Sequence, residues 1–146
     1  MENKGVKVAF VQKIADDEFE TETIWCDVKG ENFIIDNIPI IAKNIALGDV
    51  VKAEFDIDEN RYYFEDFVAN SGNSTIRIFV YDATTIAPIR KWLNDNKCES
   101  EVLPARNIVA VNIPKDIVYT PIKAFLEDGE KNGKWTYEES CLEHEY

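Results

Sequence analysis

Histidine and cysteine are scarce, since the chain of 146 residues contains one histidine and three cysteines. Cys26, Cys98 and Cys141 are widely spaced, and no two of them form a CxxC pair. This spacing provides neither the disulfide framework of a small secreted protein nor a recognisable four-ligand zinc site. We therefore expect reduced thiols, no bound metal and no cofactor.

Long apolar runs are also missing, and none approaches the roughly 20 residues that a membrane helix needs. The first residues, MENKGVKVAF, lack the apolar stretch of a signal peptide. The phosphate-binding motifs GxGxxG and GxxxxGK(S/T) and the hydrolase motif GxSxG do not occur. These absences predict a cytoplasmic protein without a nucleotide cradle or a nucleophile elbow.

Positive charge is in short supply. The 16 basic and 28 acidic side chains give a net charge of −12. A surface of this sign repels phosphate backbones and anionic lipid headgroups, and it attracts basic proteins. We expect a basic protein partner, no nucleic acid and no membrane, and a monomer or weak dimer because like charges oppose self-association.

Hydrophobic residues make up 45% of the chain, which is enough for a buried core and for an α+β fold. Residues 1–72 alternate apolar and polar side chains in five short segments, the pattern of β-strands. The segments are 6–10, 21–29, 32–38, 50–57 and 61–69. Five such strands with short turns predict a small β-barrel-like subdomain, because closure removes exposed sheet edges. In the fourth strand, Val51, Ala53, Phe55 and Ile57 are expected on the buried face.

The pattern changes after the turn cluster SGNS at 71–74. Residues 73–146 read as strand, helix, strand, strand, helix, strand, which predicts a ferredoxin-like βαββαβ subdomain. Thr84 or Thr85 is expected to cap the first helix. In this topology the first and third strands are central, and their apolar runs at 76–80 and 108–111 fit that position. The second and fourth strands carry glutamates that suit sheet edges. We expect the two subdomains to pack through aromatic residues such as Trp25, Tyr62 or Trp92.

Cys141 and His144 are the one pair that could supply an activated nucleophile, because a thiol beside an imidazole can form a thiolate. The flanking glutamates disfavour a thiolate, however, and no cation lies nearby in the sequence. A partly buried structural cysteine and a surface histidine explain the same residues. Asp56, Asp58 and Asn60 begin like a calcium loop, but Arg61 stands where that loop needs glycine, so a hairpin turn is predicted. No catalytic residue is assigned.

Acidic residues cluster in two regions that are candidates for docking a basic protein, since complementary charge raises the rate of association. The alternative is that these faces are only solvated. The candidate partner-binding residues are Asp56, Asp58, Glu59, Glu65, Asp66, Glu138, Glu139 and Glu143.

Several strings occur together: ETIWCDV, DNIPI, ALGDVV, SGNSTIRI and GKWTYEESCLEH. In this combination the chain resembles the bacterial family Domain of Unknown Function forty-two sixty-five (DUF4265) across nearly its whole length. The resemblance implies a small bacterial cytosolic protein, and it brings no catalytic residue or substrate. The family often has histidine where this chain has Asn73, which argues against a catalytic role for that position here.

The main functional hypothesis is a non-enzymatic acidic binding protein. Its most concrete form is an immunity protein that neutralises a basic bacterial toxin, such as a nuclease or deaminase. One alternative is a small-molecule sensor built on the ferredoxin-like half. Another is an enzyme that uses Cys141 and His144.

Overall fold

The computed structural model describes residues 5–146 and contains two β-sheets. The first sheet is a closed barrel with its strands in chain order. Its strands are β1 (Val6–Ala15), β2 (Glu18–Lys29), β3 (Asn32–Ile35), β4 (Val50–Asp56) and β5 (Arg61–Ala69). The predicted five-stranded barrel is therefore confirmed. Residues 36–38, expected to extend the third strand, belong instead to the loop that joins β3 to β4.

Barrel closure depends on a short parallel contact between β1 and β5. Only two residue pairs form it, Val8 with Tyr62 and Ala9 with Tyr63. The β4–β5 register shifts twice, between Val50 and Val51 and between Lys52 and Ala53. Such bulges bend and twist a strand. The bulges allow β5 to turn back toward β1. Beyond Ala9 and Tyr63 the two strands are no longer paired.

The second sheet has four antiparallel strands in the order β7-β8-β6-β9. The strands are β6 (Ser74–Val80), β7 (Glu99–Leu103), β8 (Ile108–Ile113) and β9 (Trp135–Cys141). The helices are α1 (Ile86–Asp95) and α2 (Thr120–Lys131). The first and third strands of this half are thus central, and the glutamate-bearing strands are edges, as the sequence predicted. The fold is α+β.

Both helices pack on one face of the second sheet. That face supplies Ile76, Ile78, Val109 and Val111 to a buried cluster that includes residues of both helices. Gly129 allows α2 to pack closely against Trp135 of β9, because an added Cβ would lie 1.8 Å from the ring of Trp135.

The start of α1 differs in detail from the prediction. Asp82, two residues before Thr84, accepts hydrogen bonds from the Thr84 backbone N–H and hydroxyl. Thr85 precedes α1, but its side chain does not cap the helix. The short 3-10 turn Ala83–Thr85, which α1 follows, shifts the capping role to Asp82.

The opposite face of the second sheet meets the barrel through the β3–β4 loop, residues 36–49. The Thr75 hydroxyl donates to the Ile45 carbonyl at 3.1 Å, and the Asn44 N–H donates to the Ser140 carbonyl at 3.1 Å. The Arg77 guanidinium donates to the Ala42 carbonyl. The two halves are therefore held together by polar contacts along this loop.

The predicted aromatic interface is wrong. Tyr62 packs inside the barrel against Phe33, and the Trp92 ring stacks on Phe125 in the helical layer at 3.7 Å between centroids. Trp25 is 46% exposed, with the Lys7 ammonium 5.0 Å from its ring centroid. Tyr62 and Trp92 therefore pack within their own halves and Trp25 faces solvent. The hydrogen bonds between the halves are made instead by loop backbone groups and buried polar side chains.

Candidate functional site: an apolar groove beside an acidic hairpin

An open groove lies where β1 and β5 part. It has a volume of about 510 Å³. Residues 10–12 of β1 form one wall, Phe64 and Phe67 of β5 form the other, and residues 42–45 of the β3–β4 loop form the floor. We call this feature the barrel groove. The sequence did not predict it, because the parting of two strands far apart in the chain leaves no local pattern.

The walls of the barrel groove are aromatic and partly exposed. The Phe10 ring is buried and stacks on the Phe64 ring with 5.2 Å between centroids. Phe64 and Phe67 remain 38% and 42% exposed, and Val11 is 53% exposed. Large apolar side chains gathered around one concavity are typical of a surface that binds another molecule.

The floor of the groove is fixed by two side chains of the barrel strands. The Glu22 carboxylate accepts backbone N–H groups from Ile40, Ile41 and Ala42, each at 2.9 Å. The Gln12 side-chain oxygen accepts the Lys43 N–H, also at 2.9 Å. Successive N–H groups that converge on one carboxylate form a nest that orders the loop. The floor is thus preorganised for binding.

The β4–β5 hairpin beside the groove is acidic. Asp58, Glu59 and Glu65 are exposed and form no ion pair within residues 5–146. Asp56 accepts the Glu59 N–H at 3.1 Å and thereby closes the turn. Asp66 accepts the N–H of its neighbour Phe67 at 2.8 Å. Most of the hairpin acids predicted as docking residues are therefore presented to solvent.

The hairpin is more apolar at its surface than the sequence predicted. Val51 is buried, but Phe55 is 44% exposed and Ile57 is 84% exposed. The period-two pattern assigned both to the buried face. The end of the hairpin extends past the barrel core, so there is no interior for the second half of β4 to face.

Two of the predicted C-terminal docking acids already have partners within the chain. The Glu138 carboxylate lies 3.1 Å from the Arg77 guanidinium. The Glu139 carboxylate accepts the Tyr119 hydroxyl at 2.7 Å and lies 3.1 Å from the Lys123 ammonium. Glu143 is exposed and borders the barrel groove. Of these three acids, Glu143 is the one placed beside the candidate site.

Cys141 and His144 do not form a pair. Cys141 lies opposite Thr75, on the sheet face that meets the β3–β4 loop, and burial raises the pKa of its thiol to about 11. The His144 Nδ1 lies 2.5 Å from the Ser74 hydroxyl, and its Nε2 lies 2.8 Å from the Pro114 carbonyl. Because a carbonyl only accepts, Nε2 carries the proton and Nδ1 accepts from Ser74. Both ring nitrogens are used structurally.

A polar hub links the strings ALGDVV and SGNST. Asp49 is fully buried and accepts the N–H groups of Ala46 and Ser71, both at 2.8 Å. Its burial raises the pKa of the carboxyl group. Asn73 donates to the Leu47 carbonyl at 2.8 Å and accepts the Lys115 N–H at 2.9 Å. Asp49 thus ties the β3–β4 loop to the segment that enters the second half, and Asn73 connects that loop to Lys115 of the second half.

No group of three or more His, Cys, Asp and Glu residues within 5–146 is placed to hold a metal ion. Asp56 ends β4 and Asp58 lies in the hairpin turn, in agreement with the hairpin predicted for these residues. None of the helices described is long and apolar enough to cross a membrane.

The fold and its polar hub define a small α+β protein in which a closed barrel is fixed to a four-stranded sheet. The sequence profile of the family described as Domain of unknown function (DUF4265) matches residues 22–137. The chain belongs to this family, and the resemblance seen in the sequence is confirmed.

A solved structure of a hypothetical protein from Neisseria gonorrhoeae is similar to the chain. The TM-score is 0.82, the sequence identity is 24%, and the match covers 97% of this chain and 98% of the other. The similarity extends over both halves and concerns the fold alone. No curated protein matches the chain.

Proposed function

We propose that the protein is a non-enzymatic binding module that receives a segment of a basic protein in the barrel groove. The single observation that carries this proposal is the order of residues along β5. Two acids, Glu65 and Asp66, lie between the groove residues Phe64 and Phe67. This part of β5 therefore presents apolar side chains and negative charge next to each other. A partner segment with apolar and basic residues complements both, which favours specific and fast association.

The most concrete form of this function is that of an immunity protein for a basic bacterial toxin, such as a nuclease or deaminase. Enzymes that act on nucleic acids carry positive surfaces, and a net charge of −12 complements them. The same charge disfavours nucleic acid and anionic membranes as partners. We propose a cytoplasmic monomer or weak dimer, because the charge also opposes self-association.

The proposed absence of an enzymatic role rests on the state of the candidate nucleophiles. The Cys141 thiol is buried and has a pKa of about 11, and Ser74 is fully buried beneath the C-terminal segment. A nucleophile needs access to its substrate and an activating base. Neither residue combines the two.

We also propose that residues 1–72 and 73–146 are two subdomains, the second of them ferredoxin-like. The strand order β7-β8-β6-β9, with two helices on one face, supports this assignment. The separate apolar clusters of the two halves support the division near residue 72.

Affinity capture with the purified chain from a bacterial lysate at low salt, followed by elution at high salt, tests the proposed function. The captured basic protein is then purified and titrated against Phe67→Asp, which places a charge in the groove. Phe19→Asp is the matched control, because Phe19 is 61% exposed and lies outside the groove. We expect at least about tenfold weaker binding for Phe67→Asp alone. Equal binding by both variants would place the interface elsewhere.

A further inference from the structure

A second cavity lies between the two halves and adjoins the barrel groove at Gln12 and Lys43, which line both. Its volume is about 200 Å³. We call it the junction cavity. Its apolar walls come from both halves: Ile14, Ile40, Ile41, Phe79 and Ile108.

The junction cavity concentrates positive charge in a chain that has little of it. Lys43, Arg77 and Arg106 line the cavity, together with the acids Glu20 and Glu138. The lining residues alone sum to 3 − 2 = +1, against −12 for the whole chain, and the Glu22 carboxylate, which does not line the cavity, also interacts with Arg77. The two carboxylates are already paired, Glu138 with Arg77 at 3.1 Å and Glu20 with Arg106 at 2.7 Å. The surplus cation among the lining residues is Lys43.

One nitrogen of the Arg77 guanidinium, Nε, has no hydrogen-bond partner among residues 5–146. Arg77 is 3% exposed. One terminal nitrogen of its guanidinium donates to the Glu138 carboxylate, and the other donates to the Ala42 carbonyl. A buried donor without a partner destabilises the fold, so such a group in a native protein calls for a bound water or ligand.

Lys43 supplies a second donor at the same cavity. Its backbone is fixed by the bond to Gln12, while its ammonium group forms no ion pair within the described residues. An anion bound between Lys43 and Arg77 would pair with the Lys43 ammonium group and give the Arg77 Nε–H an acceptor. Because four isoleucines and Phe79 form the apolar part of the lining, the rest of such a ligand would be apolar.

We propose that the junction cavity binds a small organic carboxylate with an apolar body, its carboxylate held by Arg77 and Lys43. A ligand of this kind would contact the barrel, the β3–β4 loop and the second sheet at once. Its binding would stabilise the arrangement of the two halves, since any ligand that binds only the folded state favours that state. This inference concerns a different kind of ligand from the proposed protein partner, although Gln12 and Lys43 line both cavities. The titration with the small carboxylate needs no protein partner, so the two proposals can fail separately.

The test is a titration of the full chain, labelled with ¹⁵N, with sodium 4-methylpentanoate as the probe. The uncharged 4-methylpentanamide has nearly the same shape and serves as the ligand control. We expect saturable shifts of the backbone amides of Ile40, Ile41 and Ile108 with the carboxylate only. Absence of saturation, equal binding of the amide, or shifts confined to other regions would overturn the proposal.

Variants assign the binding to the cavity. Arg77→Lys is the direct change, but Arg77 also joins the two halves and the variant can fail to fold. Lys43→Gln avoids this problem because Lys43 is exposed. We expect Lys43→Gln to weaken binding by about fivefold or more, through loss of a charge-assisted hydrogen bond. Lys131→Gln, an exposed change at the end of α2, is the matched control and keeps full affinity. If the two lysine variants bind equally well, the assignment is wrong.

Discussion

The Ser74 hydroxyl donates a hydrogen bond to Nδ1 of His144 across 2.5 Å, although the two residues are 70 positions apart in the chain. The same hydroxyl oxygen accepts the Glu143 N–H at 2.8 Å. Ser74 therefore satisfies two groups of the segment that follows β9. This relationship fixes the C-terminal residues against the start of β6.

We expect Ser74→Ala to lower the free energy of unfolding by about 1–3 kcal/mol, because it leaves the Glu143 N–H and the His144 ring nitrogen without their partner. Urea denaturation followed by circular dichroism measures the change. Glu145→Ala is the control, since Glu145 is exposed, and should cost less than about 0.5 kcal/mol. Equal stability of the two variants would contradict the assigned role of Ser74.

The cysteines give a prediction for alkaline pH. Burial raises the thiol pKa values to about 12 for Cys26 and to about 11 for Cys98 and Cys141, from an ordinary value of 9.0. At about pH 8, a pKa of about 11 leaves roughly one thiolate per thousand molecules. We therefore expect iodoacetamide to modify the native protein far more slowly than the denatured protein, as mass spectrometry would measure. Rapid labelling of Cys141 in the native state would refute the assigned burial.

The raised pKa values of Cys98 and Cys141 also determine how the free energy of unfolding changes with pH. A thiol that stays protonated in the folded state contributes fully below pH 9.0, and that contribution is lost as the pH rises toward about 11. The free energy of unfolding should therefore fall in this range. Cys98→Ala should reduce the slope of this fall, although it also removes packing at every pH. An unchanged slope would show that Cys98 does not titrate as described.

Glu22 gives a prediction for the floor of the barrel groove. Glu22→Ala removes the acceptor shared by Ile40, Ile41 and Ala42, so the loop amides should lose protection against hydrogen exchange. Glu18→Ala, at the exposed start of β2, is the control and should leave the loop protected. Unaltered exchange at residues 40–42 in Glu22→Ala would show that the carboxylate does not order the floor.

The strands were predictable because burial of one face imposes a local period of two, as in β1 and in the first half of β4. The central and edge positions of the second sheet were predictable from the composition of each strand. Continuous apolar runs suit β6 and β8, which are covered on both faces, while glutamates suit β7 and β9.

The groove and the junction cavity were not predictable, because both depend on the β3–β4 loop. Residues 36–49 have no periodic pattern, and the loop takes its shape from the distant side chain of Glu22 and from its own last residue, Asp49. Ser74 was missed as the partner of His144 for a similar reason. The two residues lie 70 positions apart, and no local pattern in the sequence indicates that they meet.

The double variant Cys141→Ala/His144→Ala separates the binding function from the enzymatic alternative. We expect it to bind the captured partner normally, because neither side chain borders the barrel groove. Stability should fall by on the order of 1 kcal/mol or more, from lost packing and hydrogen bonding. Loss of biological function at unchanged melting temperature and unchanged binding would instead favour an enzyme.

The acidic hairpin gives the sharpest prediction. Reversal of Asp56, Asp58 and Glu59 to lysine changes the formal charge of the hairpin turn by six. Stability should fall by only about 1 kcal/mol, from loss of the Asp56 hydrogen bond to the Glu59 N–H, since exposed charges themselves contribute little. Because electrostatic steering acts on the encounter, the association rate with the basic partner should drop by roughly tenfold or more at low salt, and its salt dependence should flatten. Stopped-flow fluorescence at several salt concentrations measures both.

The matched control for the hairpin reverses Asp116, Asp128 and Glu130, three exposed acids of the helical half. It makes the same change in net charge at a site away from the groove. If the hairpin steers the partner, the control slows association much less and retains most of the salt dependence. Equal slowing by both variants would mean that only the net charge matters, and normal rates for the hairpin variant would mean that its acids are merely solvated. Either result would remove the electrostatic support for docking at this face.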